Sequence, residues 1–450
     1  MGIFGAMTTA ISGLSAQSFA LENISGNIAN ARTTGFKRVD TSFADLVPDM
    51  PPRRELSGSV GAFSRNTATV QGDIQASQIG TNVAIQGNGF FITRERTGDV
   101  GGVPTFAGAQ QYTRRGDFDM DRNGYLVNGT GQYLMGYTVD PVTGLTTGTQ
   151  LNVLRISQNN LPARATTQIE YNVNLPQLPL TDRRIANPTV AGSYLLQTPA
   201  VTGATIAAAD HQTFLNESVA GQSVTVYDAA GSPVPVQIRW GKTADGPPGT
   251  WSMYYESNSN AVGPATRWTR VSAGVQFNAS GQLTAPAGGT IPGFTFTVNG
   301  ASSPALTINF GTGLTQFADA NGVVQANRIT QDGYPTGTFQ RVAVGEGGYV
   351  VASYSNGQTV PVAQIPLATF ASPNMLLRQD GGVFEQTLES GQPLINAGGS
   401  GIIGGSTENS NADIADEFAK MIVTQQAYSA NTRVVTTAQS MLQDVINIIR

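Results

Sequence analysis

The chain has 450 residues, a formal net charge of −5, no Cys, one His and only 12% charged residues, with 53 glycines. That length allows several packed domains, since a single core rarely serves more than about 250 residues. The missing thiols exclude disulfide scaffolds, thiol nucleophiles and thiolate metal sites, and the sparse, scattered Lys and Arg argue against nucleic acid, which requires a clustered basic surface.

The first predicted element is a helix. Ile3, Met7, Ala10, Leu14, Gln17, Leu21, Ile24 and Ile28 recur at alternating steps of three and four with one polar interruption, the seven-residue repeat that lets two helices stay in contact along a seam. No basic residue precedes Arg32, and the amphipathic period runs on past any cleavage point, so no cleaved secretory signal is expected. No run of 18 apolar residues occurs, so no membrane-spanning helix is expected either. The period ends near Asn30, with Thr33 to Gly35 breaking the helix and Phe36 anchoring the chain as it re-enters packed structure. Residues 34–80 read as a linker and extended segment, and Pro48 to Gly61 has the composition of a hinge.

From residue 81 the period changes to two. Short alternating runs bounded by Gly, Asn, Asp or Pro occur at Thr81 to Ile92, Gln168 to Leu175, Gln222 to Asp228, Val234 to Trp240, Thr250 to Glu256, Gly293 to Val298, Ala305 to Phe310 and Gly348 to Tyr354. Rich in β-branched and aromatic residues, they predict an all-β body. Residues 81–160 and 326–408 are expected to form one discontinuous β domain, and 161–325 a second β domain inserted into it. Asn396 to Ser410, including the Gly-rich stretch Gly399 to Gly405, reads as a second flexible linker.

The last element is again helical: Ile414, Phe418, Met421, Gln425, Tyr428, Thr432, Val435, Gln439, Leu442, Ile446 and Ile449 form a leakier but regular stripe. Residues 1–33 and 409–450 therefore form an expected helical assembly domain, the whole being mostly β with α-helical termini. Phe4 and Ile11 at one end, and Ile422, Val434, Met441, Val445 and Ile448 at the other, flank the seams. A short helix in water cannot offset the ordering of its own backbone, so the second contact lines imply neighbouring copies, with the ends ordered only once those copies gather around a shared axis.

Chemistry has little to work with. Asp119, Asp121, Asn123 and Gly124 match the opening of a calcium loop, yet its twelfth position is Thr130 rather than a bidentate Glu. The Asn-Gly pair fits a hairpin turn instead. Gly241-Lys-Thr243 lacks the earlier Gly of a phosphate loop, Val236 standing there, and His211 has no nucleophile elbow to serve. No catalytic, cofactor-binding or metal-binding residue is expected.

The segment Asn27-Ile-Ala-Asn-Ala-Arg-Thr-Thr-Gly-Phe-Lys37 closely resembles the signature that ends the first helix in the bacterial flagellar rod and hook family. The family positions it carries are Asn27, Ala29, Asn30, Thr33, Gly35, Phe36 and Lys37. Gly87-Asn-Gly-Phe-Phe91, Tyr112-Thr-Arg-Arg-Gly-Asp-Phe118, Asp121-Arg-Asn-Gly-Tyr-Leu126 and Tyr133-Leu-Met-Gly-Tyr137 resemble the family's first β segment, and Phe418 to Asn431 its closing helix. Gln331-Asp-Gly-Tyr-Pro335 and Gln364-Ile-Pro-Leu-Ala-Thr-Phe370 resemble the return into the inner domain after the insertion that distinguishes hook from rod. Gln426 and Gln439 depart from the family, where Arg and an acid are common.

The resemblance implies a structural subunit, not an enzyme, that polymerises into a curved tube coupling motor to filament. It also implies self-association and partners at the distal rod, hook cap, hook-length control protein, hook-filament junction and flagellar export apparatus, with no nucleic acid and no membrane insertion. The implied location is extracellular, in the flagellum. A distal rod protein with an unusual insertion is the nearest alternative, and an oligomeric carbohydrate-binding or hydrolytic β protein a distant one.

Overall fold

The structure, a computed structural model, describes residues 3–46, 59–140 and 143–448. Among these, the α-helices are α1 (Ile3–Ala29), the short α2 (Asp182–Ala186) and α3 (His211–Glu217), and α4 (Ile414–Ile448); the rest of the regular structure is strand apart from short 3-10 turns. The protein is thus mostly β with helical termini. It divides into two compact units, one built from residues 1–158, 339–353 and 358–450, the other from 159–338 and 354–357.

In the first unit an antiparallel sheet runs in the order Phe339–Val344, Tyr349–Tyr354, Thr359–Gln364, Gln132–Thr138, Phe90–Val100, Gln111–Thr113, Val383–Glu385 and Leu377–Gln379. Alternation along Phe90–Val100 sends successive side chains to opposite faces. Phe91 joins a core with Phe118, Leu126, Leu134 and Val350, while Phe90 and Ile92 join another with Tyr112, Phe370 and Phe384. Phe91 meets Phe118 edge to face at 5.6 Å, and Phe90 meets Phe384 likewise at 5.6 Å, the arrangement that aligns ring edges with ring faces. Phe118–Met120 and Leu126–Asn128 form a hairpin whose turn is closed by Asp121 Oδ1, which accepts from the Asn123 and Tyr125 amides at 2.8 Å each. The carboxylate of Asp121 is thereby spent on its own turn.

Two stretches expected to be loose are ordered. Within 34–80, Val39–Leu46 and Ser59–Asn66 pair antiparallel from Val39↔Asn66 to Leu46↔Ser59; of the expected hinge Pro48 to Gly61, residues 59–61 lie in the second of these strands and 48–58 lie outside the described residues. The hairpin is held to α1, where Ser12 Oγ accepts from the Val60 amide at 3.3 Å and Asn23 donates to Thr41 Oγ1 at 2.9 Å. Within 396–410, Gly401–Gly404 pairs with Val83–Gln86 and Ser406–Glu408 with Ile74–Ala76. Gly marks a close approach there, since a methyl at Gly404 would lie 1.9 Å from the Val344 carbonyl oxygen.

Beside the two-stranded pairs Val224–Tyr227 with Pro233–Val236 and Thr297–Val298 with Ala301–Ser302, two larger sheets dominate the second unit. One runs Thr205–Ala207, Thr266–Phe277, Gly249–Glu256, Ile238–Ala244 and Val219–Ala220; the other runs Thr290–Phe294, Leu306–Asn309, Gln168–Asn174 and Gln325–Gln331. Tyr171, Trp240, Trp251, Phe296 and Phe310 fill its main core. This unit ends at 338 rather than at the expected 325, because Gln325–Gln331 is an edge strand paired with Ile169 to Asn174. Its single imidazole is structural: Trp268 Nε1 donates to His211 Nδ1 at 2.9 Å.

Candidate assembly site

The two terminal helices pack on each other within one chain, so neither end lacks an intramolecular partner. Their contact faces keep the seven-residue period but not the phase expected from apolar bulk. On α1 the covered stripe is Ala10, Gly13, Gln17, Ala20, Ile24 and Asn27, with Gln17 half-buried and the others buried. On α4 it is Glu417, Met421, Thr424, Asn431, Val435, Ala438 and Leu442, all buried or half-buried. Expected and observed stripes share Ala10, Gln17 and Ile24, and Met421, Val435 and Leu442. They diverge by one residue elsewhere: Gly13, Ala20 and Asn27 replace Leu14, Leu21 and Ile28, and Glu417, Thr424, Asn431 and Ala438 replace Phe418, Gln425, Thr432 and Gln439.

The reason is closeness. Small residues let two helix backbones approach, and dense packing then favours the Gly and Ala stripe over the neighbouring Leu stripe. A methyl on Gly13 would come within 2.9 Å of Asn431 Nδ2. Met7, Leu14, Leu21 and Ile28 become half-buried shoulders of the seam. On α4 the displaced bulk points outward: Ile414, Phe418, Tyr428 and Ile446 are exposed, with Phe418 50% and Ile446 61% accessible, and Ile422, Val434, Met441 and Val445 are exposed beside them. The side chains of Ile3 and Ile448, and all of Ile449, lie outside the described residues.

Below the helices the signature segment forms a polar clasp. Asn30 closes α1, its amide donating to Gly26 O at 3.2 Å, with Thr33 Oγ1 donating to Asn30 Oδ1 at 3.1 Å; Ala29 remains exposed. Gly35 adopts φ +66°, and a side chain there would strike the Arg115 amide nitrogen at 2.7 Å. Phe36 is buried with the Arg378 guanidinium 4.4 Å from its ring centre. Lys37 Nζ donates to Val70 O at 2.7 Å and pairs with Glu408 Oε1. Glu408 also accepts from the Gly72 amide at 2.8 Å and from Arg114 Nη1 at 3.4 Å.

Lys37, Arg114 and Glu408 are all buried. Burial pushes the Lys37 ammonium below its ordinary value and Arg114 adds to the shift, while Glu408 works against them; burial likewise lowers Arg114. Asn411 adds a second tie, accepting from the Arg38 amide at 2.7 Å and donating to Thr67 Oγ1 and Val70 O at 3.1 Å each. Asp413 Oδ1 caps α4 by accepting from the Ala415 amide at 2.7 Å.

Glu408, Arg114, Asn411 and Glu417 escaped the sequence reading. The usable signal is scarcity: in a chain with 12% charge, a charged residue that directly follows strand formers, as Arg114 follows Tyr112 and Thr113, has a buried partner to find. Among the described residues no group of three or more His, Asp or Glu is placed to hold a metal ion.

Helical ends clasped to a β body, with a further β unit carried between its segments, define a structural protein of the flagellar axis. Four family models match in chain order: a flagella basal body rod protein over residues 7–37, the flagellar hook protein FlgE/F/G D1 domain over 84–176, the flagellar basal body protein FlaE D2 domain over 196–334, and the flagellar basal body rod FlgEFG protein C-terminal over 403–448. The chain is 33% identical to the flagellar hook protein FlgE of Brucella suis, covering 100% of both chains, and 31% identical to that of Salmonella typhimurium, covering 98% of both. A crystal structure of Helicobacter pylori flagellar hook protein FlgE2 aligns with 73% of this chain and 98% of that one at 16% identity and a TM-score of 0.46. The chain belongs to the flagellar hook protein FlgE family and is a structural subunit of the hook.

Proposed function

We propose that copies of this chain polymerise through α1 and α4 into the inner wall of a curved tube, a universal joint that transmits motor torque to the filament. The observation that carries the reading is the uncovered apolar surface of α4: Ile414, Phe418, Ile422, Val434, Met441, Val445 and Ile446 are exposed after α1 has docked. Such a patch marks an interaction surface.

Within the tube the assembly residues are Ile3, Met7, Ala10, Leu14, Leu21, Ile24 and Ile28 on one helix, and Ile414, Phe418, Met421, Tyr428, Val435, Leu442, Ile446 and Ile449 on the other. Asn27 to Lys37 holds these helices to the β body. A charge-poor surface suits contacts that slide as each protofilament changes length, because neutral hydrogen bonds and bridging waters exchange at small cost. The reading assigns the chain no enzymatic role and no cofactor. Its partners, beyond its own copies, are the distal rod, the hook cap, the hook-length control protein, the junction proteins and the export apparatus.

The double substitution Phe418→Asp and Ile422→Asp tests it. Folded soluble protein that no longer sediments as polymer is the expected result; normal polymer in electron micrographs would overturn the reading.

A further inference from the structure

The α1–α4 pair carries a register problem. Its contact face on α1 is built largely from Ala10, Gly13 and Ala20, and on α4 from Thr424, Asn431 and Ala438. Stripes of small residues repeating every three or four positions look alike after a shift of a heptad. Such a shift brings Gly13 opposite Ala438 and Ala20 opposite Asn431, pairings no larger than the native ones. Apolar packing alone therefore discriminates weakly between alignments.

Two contacts do discriminate. Asn27 Nδ2 donates to Glu417 Oε2 at 3.0 Å, with Asn27 and Glu417 both buried. Gly13 lies under Asn431, whose side-chain amide a methyl at position 13 would meet at 2.9 Å and have to displace. From 13 to 27 on α1 and from 417 to 431 on α4 the separations are both 14 residues, two heptads, running in opposite directions. The contacts thus belong to one antiparallel alignment and stand about 21 Å apart along it.

We infer that Asn27 and Glu417, keyed at the far end by Gly13 against Asn431, form a register lock for the terminal helix pair. Asn27 is fixed from its own side: its Oδ1 accepts from the Val39 amide and its Nδ2 donates to Val39 O, each at 2.9 Å. It cannot follow a sliding helix without dragging the hairpin strand Val39–Leu46 along. The shift that brings Ala20 opposite Asn431 also brings Thr424 opposite Asn27 and carries Glu417 past Ala29, the last residue of α1, away from its amide donor; the opposite shift sets Glu417 beside Ala20. Either shift breaks the buried Asn27–Glu417 hydrogen bond, while Lys420, one turn along the same helix, travels with the carboxylate; the lost bond disfavours both alignments. This is the use of a buried polar pair best attested in helix seams, fixing alignment rather than adding stability. The lock stands on the helix pair itself; only its consequence, uniform presentation of the outer α4 surface to neighbouring copies, rests on the proposed function.

The absence of Cys makes the test direct. Ala20 and Thr424, which line one cavity, report the native alignment as Ala20→Cys with Thr424→Cys; Ala20→Cys with Asn431→Cys reports the shifted one. Both pairs are oxidised in soluble chain, so the result does not depend on polymerisation, which is scored separately by sedimentation. With Glu417 present the native pair cross-links and the shifted pair does not. Glu417→Leu is expected to raise the shifted product at least tenfold, to a yield comparable with the native one, while Glu417→Gln, which keeps an acceptor for Asn27, is expected to leave it at background. A Glu417→Leu chain that still yields only the native product, or that loses both products through unfolding of the pair, would overturn the lock.

Discussion

Asn27 and Glu417 lie 390 positions apart in the chain and share a buried hydrogen bond of 3.0 Å. Glu417 also pairs with Lys420 one turn along α4, while Asn27 holds Val39 on its other side. One amide and one carboxylate thus connect α1, the hairpin that follows it and α4. The same logic recurs below at Lys37 and Glu408, so the two ends of the chain are fastened to each other by polar groups at successive levels.

Glu408 carries the heaviest electrostatic duty. Glu408→Gln would leave Lys37 and Arg114 buried without their counter-charge, and a buried ion stripped of its partner costs about 3–5 kcal/mol. Denaturant unfolding followed by probes in the first unit should register that loss, with the second unit unaffected. A change below about 1 kcal/mol would show that water reaches the site.

Asp332 should govern acid stability in the second unit. Burial alone would raise its carboxyl, but hydrogen bonds from Thr167 Oγ1 and from the Gln168 and Thr167 amides, with Arg164 nearby, hold it below its ordinary 3.8. The folded state therefore binds its proton less readily than the unfolded chain. The stabilisation is fully present above about pH 4 and is lost as pH falls through the lowered folded value. Asp332→Asn should flatten that acid limb in a pH series of thermal melts; an unchanged slope would contradict the assignment.

Gly404→Ala tests the close approach of strands. The added methyl would meet the Val344 carbonyl oxygen at 1.9 Å, with backbone rather than a flexible side chain as the obstacle. Overpacking of this kind costs about 1–3 kcal/mol. Faster amide exchange along Gly401–Gly404 and its partner Val83–Gln86 is the expected signature.

Leu21→Asp examines the shoulder of the helix seam. Leu21 is half-buried beside the Ala20 contact, so a charge there faces whatever covers the helix pair in a polymer. Soluble protein with an intact β body and no polymer is expected by sedimentation and near-ultraviolet circular dichroism. In the parent protein, assembly should bring new amide protection to α1 and α4; polymer without such protection would place the contacts elsewhere.

Much was legible from local pattern. Runs such as Gln168 to Leu175 and Thr250 to Glu256 alternate with period two and are strands, and the terminal stripes repeat every seven residues and are helices, because these periods follow from where each backbone points its side chains. The order of the signature, the β motifs and the closing helix also sufficed for the family. The hairpin at 39–66 and the strand at 401–404 were not legible: polar, Gly-rich stretches read as loose until a partner strand appears.

The amino-acid order by itself determined that the ends are helical, that the body is β and that one face of each end is apolar. Only the tertiary structure decided which of two adjacent stripes faces the partner helix, choosing Gly13 and Ala20 over Leu14 and Leu21. It also decided that Glu408, Asn411 and Glu417 are the counterparts of Lys37, Arg38 and Asn27. Periodicity is a property of neighbouring residues, whereas approach distance and charge pairing are properties of groups that meet only after nearly 400 residues of intervening chain have folded.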